Sequence, residues 1–104
     1  MPKMKYRVVV SDKASADLQE IGLYLSDESP AVSMRVLRRL RAAAAELGDR
    51  AMRYALVPRH EGAGFRRRVV GSYNIYYRVR GDVVDVMHVL HGARDAWPLI
   101  FGGD

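Results

Sequence analysis

The sequence predicts an α+β fold with the element order β-α-α-β-β-β, in which a helical hairpin packs on one face of an antiparallel sheet. Residues 12–47 carry apolar positions at helical spacing, which predicts two amphipathic helices. Residues 65–91 carry short runs rich in Val, Ile and Tyr between glycine-containing turns, which predicts three strands. A length of 104 residues suits a single small domain, which we assign to residues 1–104.

The first strand and the first helix are indicated by local composition. Lys5–Val10 is short and β-branched, as strands are. Ser11 or Asp12 can cap a helix that runs to about Ser26. The apolar stripe of this helix is Ala14, Leu18, Ile21 and Leu25. Leu23 falls opposite the stripe, where it is either a plain exposed leucine or part of a surface that a partner covers.

The second helix has a clear start and a predicted stop. Ser29 can cap it while Pro30 fits the first helical position, and Gly48 suggests an end after Leu47. One face of this helix is apolar. The opposite face carries Arg35, Arg38, Arg39, Ala42 and Glu46. A long polar connection, residues 49–64, then leads to the sheet, and loops of this length are often functional or mobile.

The last two strands can be registered around a Gly81-Asp82 turn. This register places Arg78 opposite Asp85, a favourable charge pair, and Ile75 opposite His88. The row that faces the helices is then Tyr73, Ile75, Tyr77, Val79, Val84, Val86 and Leu90, interrupted only by His88.

The preceding strand, Phe65–Val70, can be connected in two ways. A two-residue loop, Gly71-Ser72, would turn both Arg66 and Arg68 towards the helices, whereas a three-residue loop beginning at Val70 would turn them away. Because burying one arginine costs less than burying two, we predict the three-residue loop. The open face of the sheet then gathers Arg66, Arg68, Tyr76, Arg78 and His91. After the sheet, residues 96–104 carry apolar side chains without a helical period and are expected to fold back over the sheet edge or a partner.

Composition narrows the classes of function. The chain has a formal net charge of +5, and residues 35–80 hold twelve arginines against three acidic residues, which indicates an anionic partner or a solvated basic face. It has no cysteine, and no apolar run suits a signal peptide or a membrane span. We therefore expect a cytoplasmic protein that does not enter membranes.

Few catalytic chemistries fit the sequence. The histidines His60, His88 and His91 lack metal-ligand spacing, so we predict no metal and no cofactor. A metal-independent ribonuclease is conceivable, with His91 and Tyr76 moving protons and the cations of Arg66 and Arg78 holding the phosphorane. The alternative is that a polar cluster at residues 91–95 only fixes the end of the last strand through hydrogen bonds.

Several short motifs resemble the RelE/ParE superfamily of bacterial toxins, and most closely its ParE branch. They are Gly64-Phe65-Arg66, Gly71-Ser72-Tyr73, Ile75-Tyr76-Tyr77-Arg78-Val79 and the closing Val89-Leu90-His91-Gly92-Ala93-Arg94-Asp95. The resemblance runs from Tyr6 to about Asp95, and its most specific part is the closing motif.

This resemblance implies the toxin of a type II toxin–antitoxin module. ParE-like toxins inhibit DNA gyrase, whereas RelE-like toxins cut messenger RNA on the ribosome. RelE-like toxins use lysine on the sheet, and the absence of lysine after Lys13 favours gyrase here. The residues expected to bind the target are Arg66, Arg68, Arg78, His91, Arg94 and Asp95. A ribosome-dependent endoribonuclease and a plain nucleic-acid-binding module, whose affinity would fall steeply with salt, remain alternatives.

The resemblance also implies a cognate ParD-like antitoxin with an acidic, disordered C-terminal segment that folds on its toxin, giving a hetero-oligomer. An exposed leucine beside a basic helix suits such a segment. We therefore expect the antitoxin to contact Leu23, Arg35, Arg38 and Arg39.

Overall fold

The computed structural model of the protein describes residues 5–94 and 97–100. Its elements are β1 (Arg7–Val10), α1 (Asp12–Ser26), α2 (Pro30–Arg50), β2 (Phe65–Val70), β3 (Tyr73–Arg80), β4 (Val83–His91) and a short α3 (Trp97–Ile100). The sheet has the order β1-β4-β3-β2. The predicted α+β class and element order are confirmed. The sheet is mixed rather than wholly antiparallel, because β1 runs parallel to β4.

The start of α1 follows the prediction. Ser11 is the N-cap, and its hydroxyl accepts a hydrogen bond from the Ala14 N–H at 3.0 Å. The same hydroxyl donates to the carbonyl of Met87 in β4 at 3.1 Å. One side chain therefore caps the helix and fastens it to the sheet.

The end of α2 differs from the prediction. Ser29 caps the helix as expected, but the helix continues through Gly48 to Arg50. A Cβ on Gly48 would lie 3.0 Å from the backbone oxygen of Tyr6, whose N–H donates to the Gly48 carbonyl at 2.7 Å. This glycine therefore lets the segment before β1 approach the helix and does not end it.

The predicted β3–β4 register is correct next to the turn, but the observed register is shifted beyond it. The four pairs from Arg80–Val83 to Tyr77–Val86 are those predicted. A bulge at Met87 then moves the register by one residue, so that Tyr76 pairs with His88 and Ile75 with Val89. His88 thus leaves the helix-facing row, where it had been the one discordant residue, and Val89 replaces it.

The loop between β2 and β3 is the two-residue Gly71-Ser72, so the predicted three-residue loop is wrong. Gly71 has φ +59°, as the first loop position of a type II′ turn requires. Arg66 and Arg68 therefore face the helices. The cost of burying them is offset by partners on α2 and just after it, which the next subsection describes.

Two apolar clusters hold the fold. The main core lies between the helical hairpin and the sheet and centres on Leu40, Leu47, Ile75, Tyr77, Val84, Val86 and Val89. A second cluster lies on the opposite side of the sheet, here called the outer face, and comprises Val57, Phe65, Tyr76 and Leu90, with Ile100 of α3 packed against it. The face expected to be open is therefore partly covered.

The connection between α2 and β2 supplies that cover. Its residue Leu56 bridges to Arg66, and Val57 donates its N–H to the Phe65 carbonyl at 2.9 Å. A turn follows, closed by a hydrogen bond from the His60 N–H to the Val57 carbonyl. Its third residue, Arg59, has φ 71°, the left-handed conformation that glycine usually takes in such a turn.

Candidate functional site

A groove opens where β1 stops and β4 continues. β1 pairs with β4 only as far as Val10, opposite Val86, whereas β4 extends to His91. The chain turns from β1 into α1, which lies beside the free edge of β4. The resulting cavity, here called the sheet-end groove, has a volume of about 620 Å³.

Apolar side chains form the floor of the sheet-end groove, and polar or aromatic ones form its rim. The floor contains Ile21, Leu25, Val36 and Val89. The rim contains Glu20, Tyr24, Tyr73, His91 and Arg94. Such a combination suits a segment that buries an apolar side chain and is oriented by a few charges.

Asp17 fixes α1 against the end of β4. Its Oδ2 atom accepts a hydrogen bond from the Val89 N–H at 2.9 Å and lies 2.9 Å from Nδ1 of His88. The bulge at Met87 turns this N–H away from β3, so that it would lack a partner without the carboxylate. His88 is buried, and its contact with Asp17 gives its ring a polar partner there.

His91 lies on the rim of the groove and pairs with Tyr73 across the strands. Their rings meet edge to face, with centroids 5.5 Å apart. Nδ1 of His91 accepts a hydrogen bond from the Ala93 N–H at 3.1 Å. This contact assigns the proton of the neutral ring to Nε2. The outer nitrogen is therefore a hydrogen-bond donor, not the base that an RNA 2′-hydroxyl would need.

The other rim residues supply one cation, one carboxylate and two phenols. Burial raises the pKa of Tyr73, with a smaller contribution from Tyr24, so its hydroxyl stays protonated. Glu20 and Arg94 are exposed, and neither forms an ion pair with another described residue. The groove can therefore offer both charges to a ligand.

Arg66 and Arg68 bind α2 and the segment just after it, and do not present an open surface. Arg66 donates to the carbonyl of Tyr54 at 2.6 Å. Arg68 donates to the Ala43 carbonyl at 2.7 Å and forms an ion pair of 2.8 Å with Glu46. The hydrogen bond from Arg68 is the main reason that the pKa of Glu46 is lowered.

Tyr77 completes this attachment. Its hydroxyl donates to the carbonyl of Ala51, the C-cap of α2, at 2.6 Å, and burial raises its pKa to about 12. Cations near a helix C-terminus are also favoured by the helix dipole. Arg66 and Arg68 thus belong to the fold.

Tyr76 and Arg78 lie on the outer face. Tyr76 is only 3% exposed, within the second cluster, and its hydroxyl accepts a hydrogen bond from Asn74 Nδ2 at 3.3 Å. The guanidinium of Arg78 lies 5.3 Å from the centre of the Phe65 ring. Arg78 is opposite Asp85 as predicted, but Asp85 forms its ion pair with Arg80 instead, at 2.9 Å. That hydrogen bond is the main reason that the pKa of Asp85 is lowered.

The four groups of the ribonuclease hypothesis therefore occupy different places. His91 lies at the groove, and Arg66 is bound to the Tyr54 carbonyl after α2. Tyr76 is buried on the outer face, and Arg78 is exposed there. No single substrate position touches a base, an acid and both cations. The remaining predicted target residue, Asp95, lies outside the described residues.

A second candidate surface covers the outside of the helical hairpin. Leu23 is 66% exposed, Met34 is 61% exposed, and Arg35, Arg38 and Arg41 are exposed on the same hairpin. Arg39 is exposed at its border, where Nη1 would lie 3.2 Å from a Cβ on Gly71 in the β2–β3 turn. We call these residues the hairpin surface. α1 and α2 approach so closely at Gly22 that a Cβ there would lie 2.8 Å from Leu37 Cδ1, and the glycine allows this approach. The buried hydroxyl of Ser33 also bonds the Gly22 carbonyl at 2.7 Å.

Sequence reasoning missed Met34, Arg41, Tyr24 and Tyr73 as surface residues. Met34 and Arg41 follow the helical period of the predicted arginine face, so that period was the available signal. Nothing in the sequence marked Tyr24 and Tyr73 as neighbours, because α1 and β3 meet only in the folded chain. Within residues 5–94 and 97–100, no three His, Asp or Glu side chains group as metal ligands would, and no helix there is long and apolar enough to span a membrane.

Comparisons with known proteins point to one family. Residues 8–96 match the family model described as the ParE toxin of the type II toxin–antitoxin system parDE. No curated protein sequence matches the chain. A structure of the chromosomal ParDE toxin–antitoxin system from P. aeruginosa matches at 20% identity with a TM-score of 0.72, covering 86% of this chain and 98% of that one. The RelBE2 toxin–antitoxin complex from Mycobacterium tuberculosis matches at 24% identity with a TM-score of 0.59, covering 84% and 98%.

Proposed function

Because the chain belongs to the ParE toxin family of type II toxin–antitoxin systems, we propose that it inhibits DNA gyrase and is neutralised by a cognate ParD-like antitoxin. One observation favours gyrase inhibition over mRNA cleavage. The four groups that a ribonuclease would need lie on different parts of the molecule: His91, Tyr76, Arg66 and Arg78. A toxin that works by binding needs no acid and base on one face, whereas a ribonuclease does.

The hairpin surface suits the antitoxin. Its apolar residues Leu23 and Met34 share the hairpin with Arg35 and Arg38, while Arg39 lies at the border near Gly71. No acidic side chain lies between residues 29 and 45. An acidic segment that folds into an amphipathic helix would bury its apolar side against the leucine and methionine and place its carboxylates near the arginines. The product is a hetero-oligomer of toxin and antitoxin.

The sheet-end groove suits the gyrase target, with His91 and Arg94 as contacts. Arg66 and Arg68 were also expected to touch the target, but the structure gives them another role, since Arg68 is bonded to α2 and Arg66 to the Tyr54 carbonyl just after it. Arg78 is exposed on the outer face and remains a candidate contact.

The first experiment incubates the purified protein with gyrase, ATP and supercoiled plasmid, and then adds detergent and protease. Linear DNA is expected, because a gyrase poison traps the cleaved intermediate. Undisturbed supercoiling would contradict the proposal and make cleavage of ribosome-bound messenger RNA the next assay.

The residue test compares Arg94→Ala with Arg35→Ala, which removes the same charge from the hairpin surface. Arg94→Ala should require about tenfold more protein for the same amount of linear DNA, as the loss of a charged contact with the target does. Arg35→Ala should leave the gyrase assay unchanged and weaken antitoxin binding. If Arg94→Ala and the unaltered protein give the same amount of linear DNA at the same concentration, Arg94 does not contact gyrase.

A further inference from the structure

The sheet-end groove exposes the backbone of a strand as well as side chains. The N–H of Val89 points away from β3, since it is bonded to Asp17 of α1. In a strand, the N–H and C=O of one residue point to one edge and those of the next residue to the opposite edge. The carbonyl of Val89 and the N–H of His91 therefore also point away from β3. Within the described residues no backbone group bonds to either of them. Among the described residues, the end of β4 therefore has a short free edge that opens into the groove.

The groove has the length and lining for an added strand. β4 continues from Met87 to His91 beyond the last residue paired with β1. The Met87 carbonyl and the Val89 N–H of this stretch are already bonded to Ser11 and Asp17. The free groups therefore lie on residues 89–91, which span about 10 Å, enough for a partner segment of about three residues. Alternate side chains of that segment would reach the apolar floor formed by Ile21, Leu25 and Val36.

We propose that an extended segment of gyrase adds to this free edge as a short strand, beyond the point where Asp17 binds β4. Main-chain hydrogen bonds to Val89 and His91 would give affinity, and the floor of the groove would select an apolar side chain. This inference rests on the proposed function and specifies how the target is bound.

The charges on the rim of the sheet-end groove favour a gyrase segment over the antitoxin as its ligand. The rim offers the carboxylate of Glu20 on one side and the guanidinium of Arg94 on the other. A segment with both a basic and an acidic side chain meets two opposite charges, whereas a purely acidic segment is repelled by Glu20 and is better placed on the hairpin surface. The groove therefore binds a segment of mixed charge.

Hydrogen exchange at single backbone amides tests strand addition directly. In the complex with gyrase and DNA, the His91 amide should exchange at least about tenfold more slowly than in the free protein, the effect of one added hydrogen bond. The Leu90 amide, on the side of the strand that faces β3, serves as the internal control and should change little.

The outcomes separate the two proposals. If the protein neither binds nor inhibits gyrase, the proposed function fails. If gyrase is inhibited while the His91 amide exchanges as in the free protein, strand addition is wrong. Protection of His91 by the antitoxin but not by gyrase would overturn the assigned occupant.

A matched pair of variants tests the charge argument. Glu20→Lys and Glu28→Lys make the same change of charge at exposed positions, one on the groove and the other in the turn between the helices. Glu20→Lys should weaken gyrase inhibition about tenfold, as an opposed contact charge does, while Glu28→Lys leaves it unchanged. Equal inhibition by the two variants would contradict the role of Glu20.

Discussion

Two arginines of β2 and two of α2 carry the same charge but lie in opposite environments. Arg66 and Arg68 lie under the helices, where carbonyls and Glu46 bind their guanidinium groups. Arg35 and Arg38 project from α2 and form no ion pair with another described residue. The difference shows that a cluster of arginines in a sequence is not by itself a binding surface. What decides is whether the protein already supplies the partners.

The largest expected effect is on stability, at Arg66. Arg66→Met removes the 2.6 Å hydrogen bond to Tyr54 and should lower the free energy of unfolding by about 2 kcal/mol, the range for a hydrogen bond from a charged group. Arg35→Met should stay within about 0.5 kcal/mol of the unaltered protein. Urea unfolding measures both values, and equal midpoints would remove the distinction between the two groups of arginines.

The next effect is on association, at Arg38. Arg38→Glu reverses a charge on the hairpin surface and should slow antitoxin association about tenfold at low salt, because opposite charges steer the encounter. Its unfolding curve should not change. Stopped-flow mixing at several salt concentrations measures the rate, and a variant that associates normally at low salt would argue against electrostatic steering by α2.

A smaller effect, dependent on pH, is expected at Glu46. Arg68 lowers the pKa of Glu46 in the folded protein, so this contact stabilises the fold above the ordinary glutamate pKa of about 4.3. The stabilisation is lost as the pH falls through the lower pKa of the folded state. Glu46→Gln should therefore be less stable than the unaltered protein at neutral pH and approach it in acid. A difference independent of pH would show that the charge of Glu46 is not involved.

The smallest effect is expected at Arg59, which is exposed like the α2 arginines but has a strained backbone. Arg59→Gly relieves a left-handed conformation that costs a residue with a Cβ roughly 1–2 kcal/mol. The greater freedom of glycine in the unfolded chain offsets about 0.4–1 kcal/mol of this gain. The variant should be more stable by about 0.5 kcal/mol in urea unfolding, and a loss of stability would show that the Arg59 side chain holds the turn.

Most of the fold could be predicted because it follows from local patterns. Helical periodicity, the caps at Ser11 and Ser29, and the Gly81-Asp82 turn each depend on neighbouring residues. The β2–β3 loop was mispredicted although Gly71-Ser72 has the same glycine-first pattern as Gly81-Asp82. The error came from weighing the burial of two arginines without their partners, and the carbonyls that bind them belong to remote parts of the chain.

The candidate site could be predicted only in part, for a similar reason. The exposure of Leu23 follows from the helical period and is confirmed. The placement of His91 beside Tyr76 and Arg78 was wrong, because the bulge at Met87 reverses the faces of the following residues and nothing in the sequence marks it. The roles of these residues in binding gyrase or an antitoxin remain predictions.

The parallel pairing of β1 with β4 also sets an order of events during synthesis. The residues that it joins are separated by about 76 positions, as are Ser11 and Met87 beside them. At a translation rate of about 5–20 residues per second, β1 waits roughly 4–15 s for its partner to be made. The two helices can form in that interval, since their contacts are local. The groove that we assign to the target has no second wall until the last strand leaves the ribosome, so a truncated nascent chain lacks it.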